Sequence, residues 1–245
     1  MAHILQLTRM SDTLTVFSAC LGFLSVVFAF EGKLGVAVSL ILVCAIIDGL
    51  DGMVARYEGG DEQKMRFGVM LDSFSDSIAF CIAPAIISYR VLVGGLPSSR
   101  LMVDLVLVVC ALYVACGILR LSRFNVLFSS RSMGFVGLPT TAAGLLLSSL
   151  LSLELVVPTT RLLWAHGVMI PVLSILMISS LVYPKPTRVW MLGMFVPVPL
   201  ALALFLWTSI QPLTRACALL LLGILLAYVA SPVLVRVLGT SPESL

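Results

Sequence analysis

The sequence predicts an all-α fold, a polytopic membrane bundle of about eight transmembrane helices, and three observations predict it. Hydrophobic residues fill 60% of the 245 positions and charged residues only 11%, against about 25% charged in an average soluble domain. The mean hydropathy is +1.14. Apolar runs of spanning length, ~20 residues each, recur along the whole chain between short polar or Gly/Pro-containing turns. Little length is left for an extramembrane domain, so residues 1–245 read as one integral-membrane domain whose chemistry must be built from helices and short loops. The net charge of +3 and the absence of a basic run argue against a nucleic-acid partner.

In chain order, residues 1–11, with Arg9, form a short interfacial segment. Spans are then predicted at 13–30, 34–56, 66–90, 101–125, 140–157, 162–182, 188–208 and 212–237. Thr13–Phe30 has no cleavage-site pattern and reads as a retained first helix, with Asp12 placed to cap it. Gly59, Gly60, Asp61 and Glu62 read as a solvated loop before the third span. Gly137 and Pro139 bend the chain into the fifth span. Cys20, Cys44, Cys81, Cys110, Cys116 and Cys217 all lie in apolar runs without a C-x-x-C pair, so they read as small hydrophobes rather than disulfides or zinc ligands. His3 and His166 are far apart in sequence and read as interfacial.

Basic residues set the orientation. With the N-terminus cytoplasmic, that side carries Arg9, Arg56, Lys64, Arg66, Arg120, Arg123, Arg131, Lys185, Arg188 and Arg236; the other carries Lys33, Arg90, Arg100, Arg161 and Arg215. The majority favours cytoplasmic termini.

The chemistry is concentrated between Asp48 and Asp76. Asp48 and Asp51 are spaced i, i+3, and Asp72 and Asp76 are spaced i, i+4, so on helices each pair shares one face. A carboxylate inside a membrane helix costs roughly 2.5–3.5 kcal/mol on insertion scales, and four together repel one another unless a cation lies between them. Taken singly, each aspartate also fits a helix cap, a buried hydrogen-bond partner or an Asp-Gly turn. As a set they point to hard oxygen ligands for one or two divalent ions. The orientation above puts all four near the cytoplasmic ends of spans two and three, within reach of a water-soluble nucleotide. A second cluster, Arg120-Leu121-Ser122-Arg123-Phe124-Asn125, ends span four on the same side; its arginines suit either snorkelling or a fork-like grip on a phosphate or carboxylate.

Asp48-x-x-Asp51-Gly52-x-x-Ala55-Arg56 followed by Gly68-x-x-x-Asp72-x-x-x-Asp76 resembles the signature of the CDP-alcohol phosphatidyltransferase family, with a longer spacer between Arg56 and Gly68 than is usual there. Arg120-x-x-Arg123-Phe124-Asn125, then Gly134-Phe135-Val136-Gly137-Leu138-Pro139 and Tyr183-Pro184-Lys185, are similar to its phosphatidylserine synthase branch. So is the opening Ser11-Asp12-x-x-Thr15-x-x-Ser18, where that branch usually has Asn in place of Ser18. The resemblance covers a core of six helices, about residues 12–186, and leaves 187–245 as two additional helices.

It implies an integral enzyme of a prokaryotic cell (inner) membrane, its active site facing the cytoplasm. The phosphatidyl group of CDP-diacylglycerol, or of an ether-lipid analogue, would pass to an alcohol, with serine as the acceptor this branch suggests, and CMP would leave. Asp48, Asp51, Asp72 and Asp76 would hold Mg2+ or Mn2+, with Asp76 also the general base. Asp48, Gly52, Ala55, Arg56 and Gly68 would bind the nucleotide, and Arg120, Arg123 and Asn125 the acceptor or a phosphate. A homodimer is implied as well. Within the family, archaetidylserine synthesis and glycerol 3-phosphate, inositol phosphate or choline acceptors stay open. Outside it, a cation- or proton-coupled transporter would use the aspartates as an ion path, but no second half of the chain repeats them. An intramembrane aspartyl protease would need only two of the four.

Overall fold

The computed structural model describes residues 7–59, 61–96, 99–127, 135–184, 197–208 and 210–238, apart from the side chains of 205, 207 and 233–238. Eight helical rods run through these residues: α1 (Met10–Phe30), α2 (Leu34–Glu58), α3 (Glu62–Gly95), α4 (Arg100–Leu127), α5 (Thr140–Val156), α6 (Thr160–Ile178), α7 (Pro197–Thr208) and α8 (Gln211–Leu238). Six of them, all but α5 and α7, are long and apolar enough to cross a membrane, so the chain is a multi-pass integral membrane protein. The first half of predicted span seven, with Lys185 and Arg188, lies outside the described residues, as do His3, Arg131 and Gly134.

The bundle is held by inverted amphipathicity. On α1 the buried positions are Ser11, Asp12, Thr15, Ser18, Gly22, Ser25 and Ala29, while Phe17, Phe23 and Phe30 face outward. Bulky side chains are at home in lipid, whereas small ones let helix backbones approach and exchange hydrogen bonds. Ser25 Oγ accordingly donates to the Ala37 carbonyl of α2 at 2.7 Å, and Cys44 Sγ to the Ser18 carbonyl at 3.3 Å. α5 is the central helix, buried almost without interruption from Thr140 to Glu154. Surrounded by protein, its 17 residues need not match the bilayer thickness.

Two departures from regular helix matter. α3 contains a π-helical turn, Ser77–Ile82, immediately after Asp76. The connection into α5 forms a short antiparallel ladder, Phe135–Val136 (β1) with Val182–Tyr183 (β2), pairing Phe135 with Tyr183 and Val136 with Val182. The last two helices are part of the same core: Leu202, Ala203, Ala218, Leu221 and Leu225 join its apolar cluster. Ser39 Oγ on α2 donates to the Ala203 carbonyl at 3.2 Å, and Tyr228 OH on α8 to the Pro184 carbonyl at 3.2 Å.

Two sequence readings are corrected. Asp12 is not the cap of α1, because the helix begins earlier, at Met10; its carboxylate accepts the Arg9 backbone N–H at 2.8 Å and the Arg9 guanidinium at 3.4 Å. His166 is not interfacial but fully buried between α3, α5 and α6. Its Nδ1 lies 3.0 Å from Glu154 Oε1 and its Nε2 2.9 Å from Ser88 Oγ.

Candidate active site

Because α1, α2 and α3 alternate in direction, the first turns of α1, the last turns of α2 and the first half of α3 meet at one end of the bundle. Glu58 at the end of α2 accepts the Met10 and Ser11 backbone N–H groups, each at 3.1 Å, and so caps α1 from outside. Arg9 donates to the Gly59 carbonyl at 3.1 Å and packs over Gly68, where any Cβ would collide with the guanidinium. Gly68 thus leaves room for the Arg9–Asp12 pair. Arg9, Ser11, Asp12, Gly59 and Gly68 wall a cavity of about 510 Å³, which Thr15, Asp48, Asp51, Gly52, Ala55, Arg56, Asp72 and Phe124 also line.

Asp48 on α2 and Asp72 and Asp76 on α3 each offer a carboxylate oxygen, and the three oxygens lie within 4.8 Å of one another. Asp51 is turned aside: its Oδ2 accepts the Thr15 hydroxyl of α1 at 2.6 Å, although it borders the same cavity. Among the described residues none of the four aspartates has a basic side chain within ion-pairing distance. A cluster of unpaired carboxylates in a membrane helix bundle is a hard, all-oxygen donor set, which fits Mg2+ or Mn2+ and does not fit the thiolate- or imidazole-seeking metals.

Hydroxyls from the neighbouring helices fix the carboxylates. At the N-terminus of α5, Thr141 Oγ1 donates to Asp48 Oδ2 at 3.2 Å, and Thr140 Oγ1 to Asp76 Oδ2 at 3.4 Å. Ser75 Oγ on α3 donates to the Thr15 carbonyl at 3.0 Å, tying α3 to α1. Sequence reasoning did not single out Thr15, Thr140 or Thr141 as site residues. The available signal was a Thr-Thr step directly after Pro139, where the first turn of a helix turns short polar side chains toward whatever lies beside it.

The second cluster divides. Arg120 is buried, its Nη1 3.5 Å from Thr140 Oγ1, its guanidinium over the rings of Phe124 and Phe135 at 5.5 and 5.9 Å, and its Nε without a partner. Asn125 Oδ1 accepts Ser73 Oγ at 3.0 Å, one residue from Asp72. Arg123 points elsewhere: its Nη1 donates to the Ile178 and Ser179 carbonyls at 3.2 and 3.0 Å, and its Nη2 to Val136 and Met177 at 2.7 and 2.9 Å. Arg56, by contrast, stands exposed at the cavity wall.

The chain is 35% identical over 156 residues to a CDP-diacylglycerol–serine O-phosphatidyltransferase of Mycobacterium leprae, covering 61% of this chain and 49% of that protein. It is 40% identical over 138 residues to an archaetidylserine synthase of Methanothermobacter thermautotrophicus, covering 56% and 55%. To a CDP-diacylglycerol–serine O-phosphatidyltransferase of Helicobacter pylori it is 36% identical over 133 residues, covering 54% and 52%. The chain spans about half the length of these relatives. The sequence profile of the CDP-alcohol phosphatidyltransferases matches residues 9–238, which takes in the aspartate cluster, the threonines that hold it and all eight rods, and the chain belongs to that family.

Proposed function

We propose that this chain transfers the phosphatidyl group of CDP-diacylglycerol to the hydroxyl of L-serine, giving phosphatidylserine and CMP. The observation that carries the proposal is the convergence of Asp48, Asp72 and Asp76 beside a cavity at one end of a membrane bundle. A donor with a nucleotide in water and acyl chains in lipid suits that position. Mg2+ or Mn2+ held by these three carboxylates, with Asp51 beside them, would supply positive charge to a pyrophosphate. Gly52, Ala55, Arg56 and Gly68 border the cavity; Arg56 offers a cytidine diphosphate a cation and Gly52 close backbone approach, while the space beside Gly68 is taken by Arg9.

Asp76 is the base in this reading. One of its oxygens is held by Thr140, and the other takes the proton of the serine hydroxyl. The serine oxygen then forms a bond to the phosphatidyl phosphorus as the bond from that phosphorus to CMP breaks. Position does more here than basicity, because in-line placement of the attacking oxygen is the larger share of the barrier. Arg120, buried beside Thr140 with an unpartnered Nε, would meet the serine carboxylate in this reading.

The same residues would serve an ether-lipid donor, and the likeness to an archaetidylserine synthase makes that donor part of the test. Purified protein is expected to release CMP from CDP-diacylglycerol only with a divalent ion and serine present. EDTA should abolish release, and glycerol 3-phosphate and inositol phosphate should not replace serine. Release that is indifferent to both metal and acceptor would overturn the proposal. In the cell the site would open to the cytoplasm of a prokaryotic inner membrane, where a water-soluble nucleotide can reach it.

A further inference from the structure

Arg123 belongs to the basic cluster that the family resemblance assigns to the acceptor or a phosphate, yet its donors are committed elsewhere. A guanidinium has five N–H groups, four of them on Nη1 and Nη2. All four are directed at backbone carbonyls: Val136 in β1, and Met177, Ile178 and Ser179 at the end of α6. The last carbonyls of a helix have no partner within it, so a planar fork spanning three of them is a strong cap. Val136 is the fourth, and it ties the strand before α5 to the end of α6.

Independent contacts reinforce the same junction. The Gly137 N–H donates to the Leu181 carbonyl at 2.7 Å, and the Leu138 N–H to Leu176 at 3.0 Å. Gly137 has φ +79°, and a Cβ there would collide with both Arg123 Nη2 and the Met177 carbonyl. Only glycine permits the clasp. Two residues further on, Pro139 leads into Thr140 and Thr141, whose hydroxyls hold Asp76 and Asp48.

We infer that Arg123 is a positioning residue rather than an acceptor-binding one: by clasping residues 136–137 to the end of α6 it sets the register at which the Thr140–Thr141 step meets the aspartates. The inference rests on the transferase reading for its kinetic consequence, but not for its structural one.

The test uses the full chain in detergent micelles, with Arg123→Ala, Arg123→Lys, Thr140→Val and Thr140→Ser. Lysine keeps the charge but lacks the planar fork, so it cannot bridge four carbonyls. Both Arg123 variants should lose at least about tenfold in kcat while the KM for serine stays within about twofold, the pattern of misplaced catalytic groups. In both, the Gly137 and Leu138 amides should exchange hydrogen at least about tenfold faster, with the middle of α6 still protected. Thr140→Val should lower kcat without changing exchange at those amides, and Thr140→Ser should restore most of the turnover.

A tenfold rise in serine KM at unchanged kcat in Arg123→Lys would return Arg123 to the acceptor site and overturn the inference. Unchanged exchange at Gly137 and Leu138 would also overturn it. Should Arg123→Ala not fold, Arg123→Lys carries both readouts. If the unsubstituted protein released no CMP with any acceptor, the transferase reading would fail while amide exchange still decided the clasp.

Discussion

Thr15, Thr140 and Thr141 show how carboxylates are kept in place inside a membrane protein without basic partners. Each donates its hydroxyl to one aspartate: Thr140 and Thr141 hold Asp76 and Asp48 of the three-oxygen cluster, and Thr15 holds Asp51 beside it. Among the aspartates, Asp76 and Asp51 should behave differently. Asp76→Asn removes the proposed base and one ligand oxygen's charge, so CMP release should fall by about a thousandfold, within the range for loss of a general base, while CDP-diacylglycerol binding stays measurable. Asp51→Asn keeps an acceptor for Thr15 and stands outside the three-oxygen cluster, so its loss should be smaller, about tenfold. Steady-state CMP release checks both, and equal losses would remove the distinction between them. The aspartates were legible in the sequence because helical spacing alone puts each pair on one face. The two arginines three residues apart were not separable, because spacing does not reveal that one ends among threonine and aromatic rings and the other among carbonyls.

At the scale of helices, the rods themselves could be read from hydropathy, but not what ties them. The Glu154–His166–Ser88 chain joins α5, α6 and α3 away from the aspartates, with Glu154 Oε2 left without a partner. No periodicity distinguishes such a histidine from one at the membrane surface, since both lie near a helix end. Ser88→Ala should cost about 0.6 kcal/mol, the average for a hydrogen bond between membrane helices. His166→Leu strands a buried carboxylate and should cost about 3 kcal/mol or more. Thermal unfolding in detergent, followed by loss of monodisperse protein, measures both; a smaller cost for His166→Leu than for Ser88→Ala would refute a stabilising role for the Glu154–His166–Ser88 chain. The β1–β2 ladder was equally invisible, being two residues long on each side and set by the α6 terminus rather than by strand propensity.

For the molecule as a whole, the positive-inside expectation is that the aspartate end faces the cytoplasm. A cysteine replacing Arg66 should therefore react with an impermeant maleimide only in inverted vesicles, and one replacing Lys33 only in right-side-out cells. The reverse labelling pattern would place the site on the wrong side for a cytidine nucleotide. The rods were legible from hydropathy; the union of all eight in one core was not, because apolar faces alone do not say which helix neighbours which. One local feature shapes this union. Asp76 and Ser88 are twelve residues apart, which on an unbroken α-helix would set their azimuths about 120° apart. The wide turn at Ser77–Ile82 absorbs one residue and brings that angle down to about 20°. A single rod thereby aims its acidic half and its far hydroxyl along nearly the same bearing, so that Asp76 meets the first turn of α5 while Ser88 meets the histidine that Glu154, near the last turn of α5, holds in place.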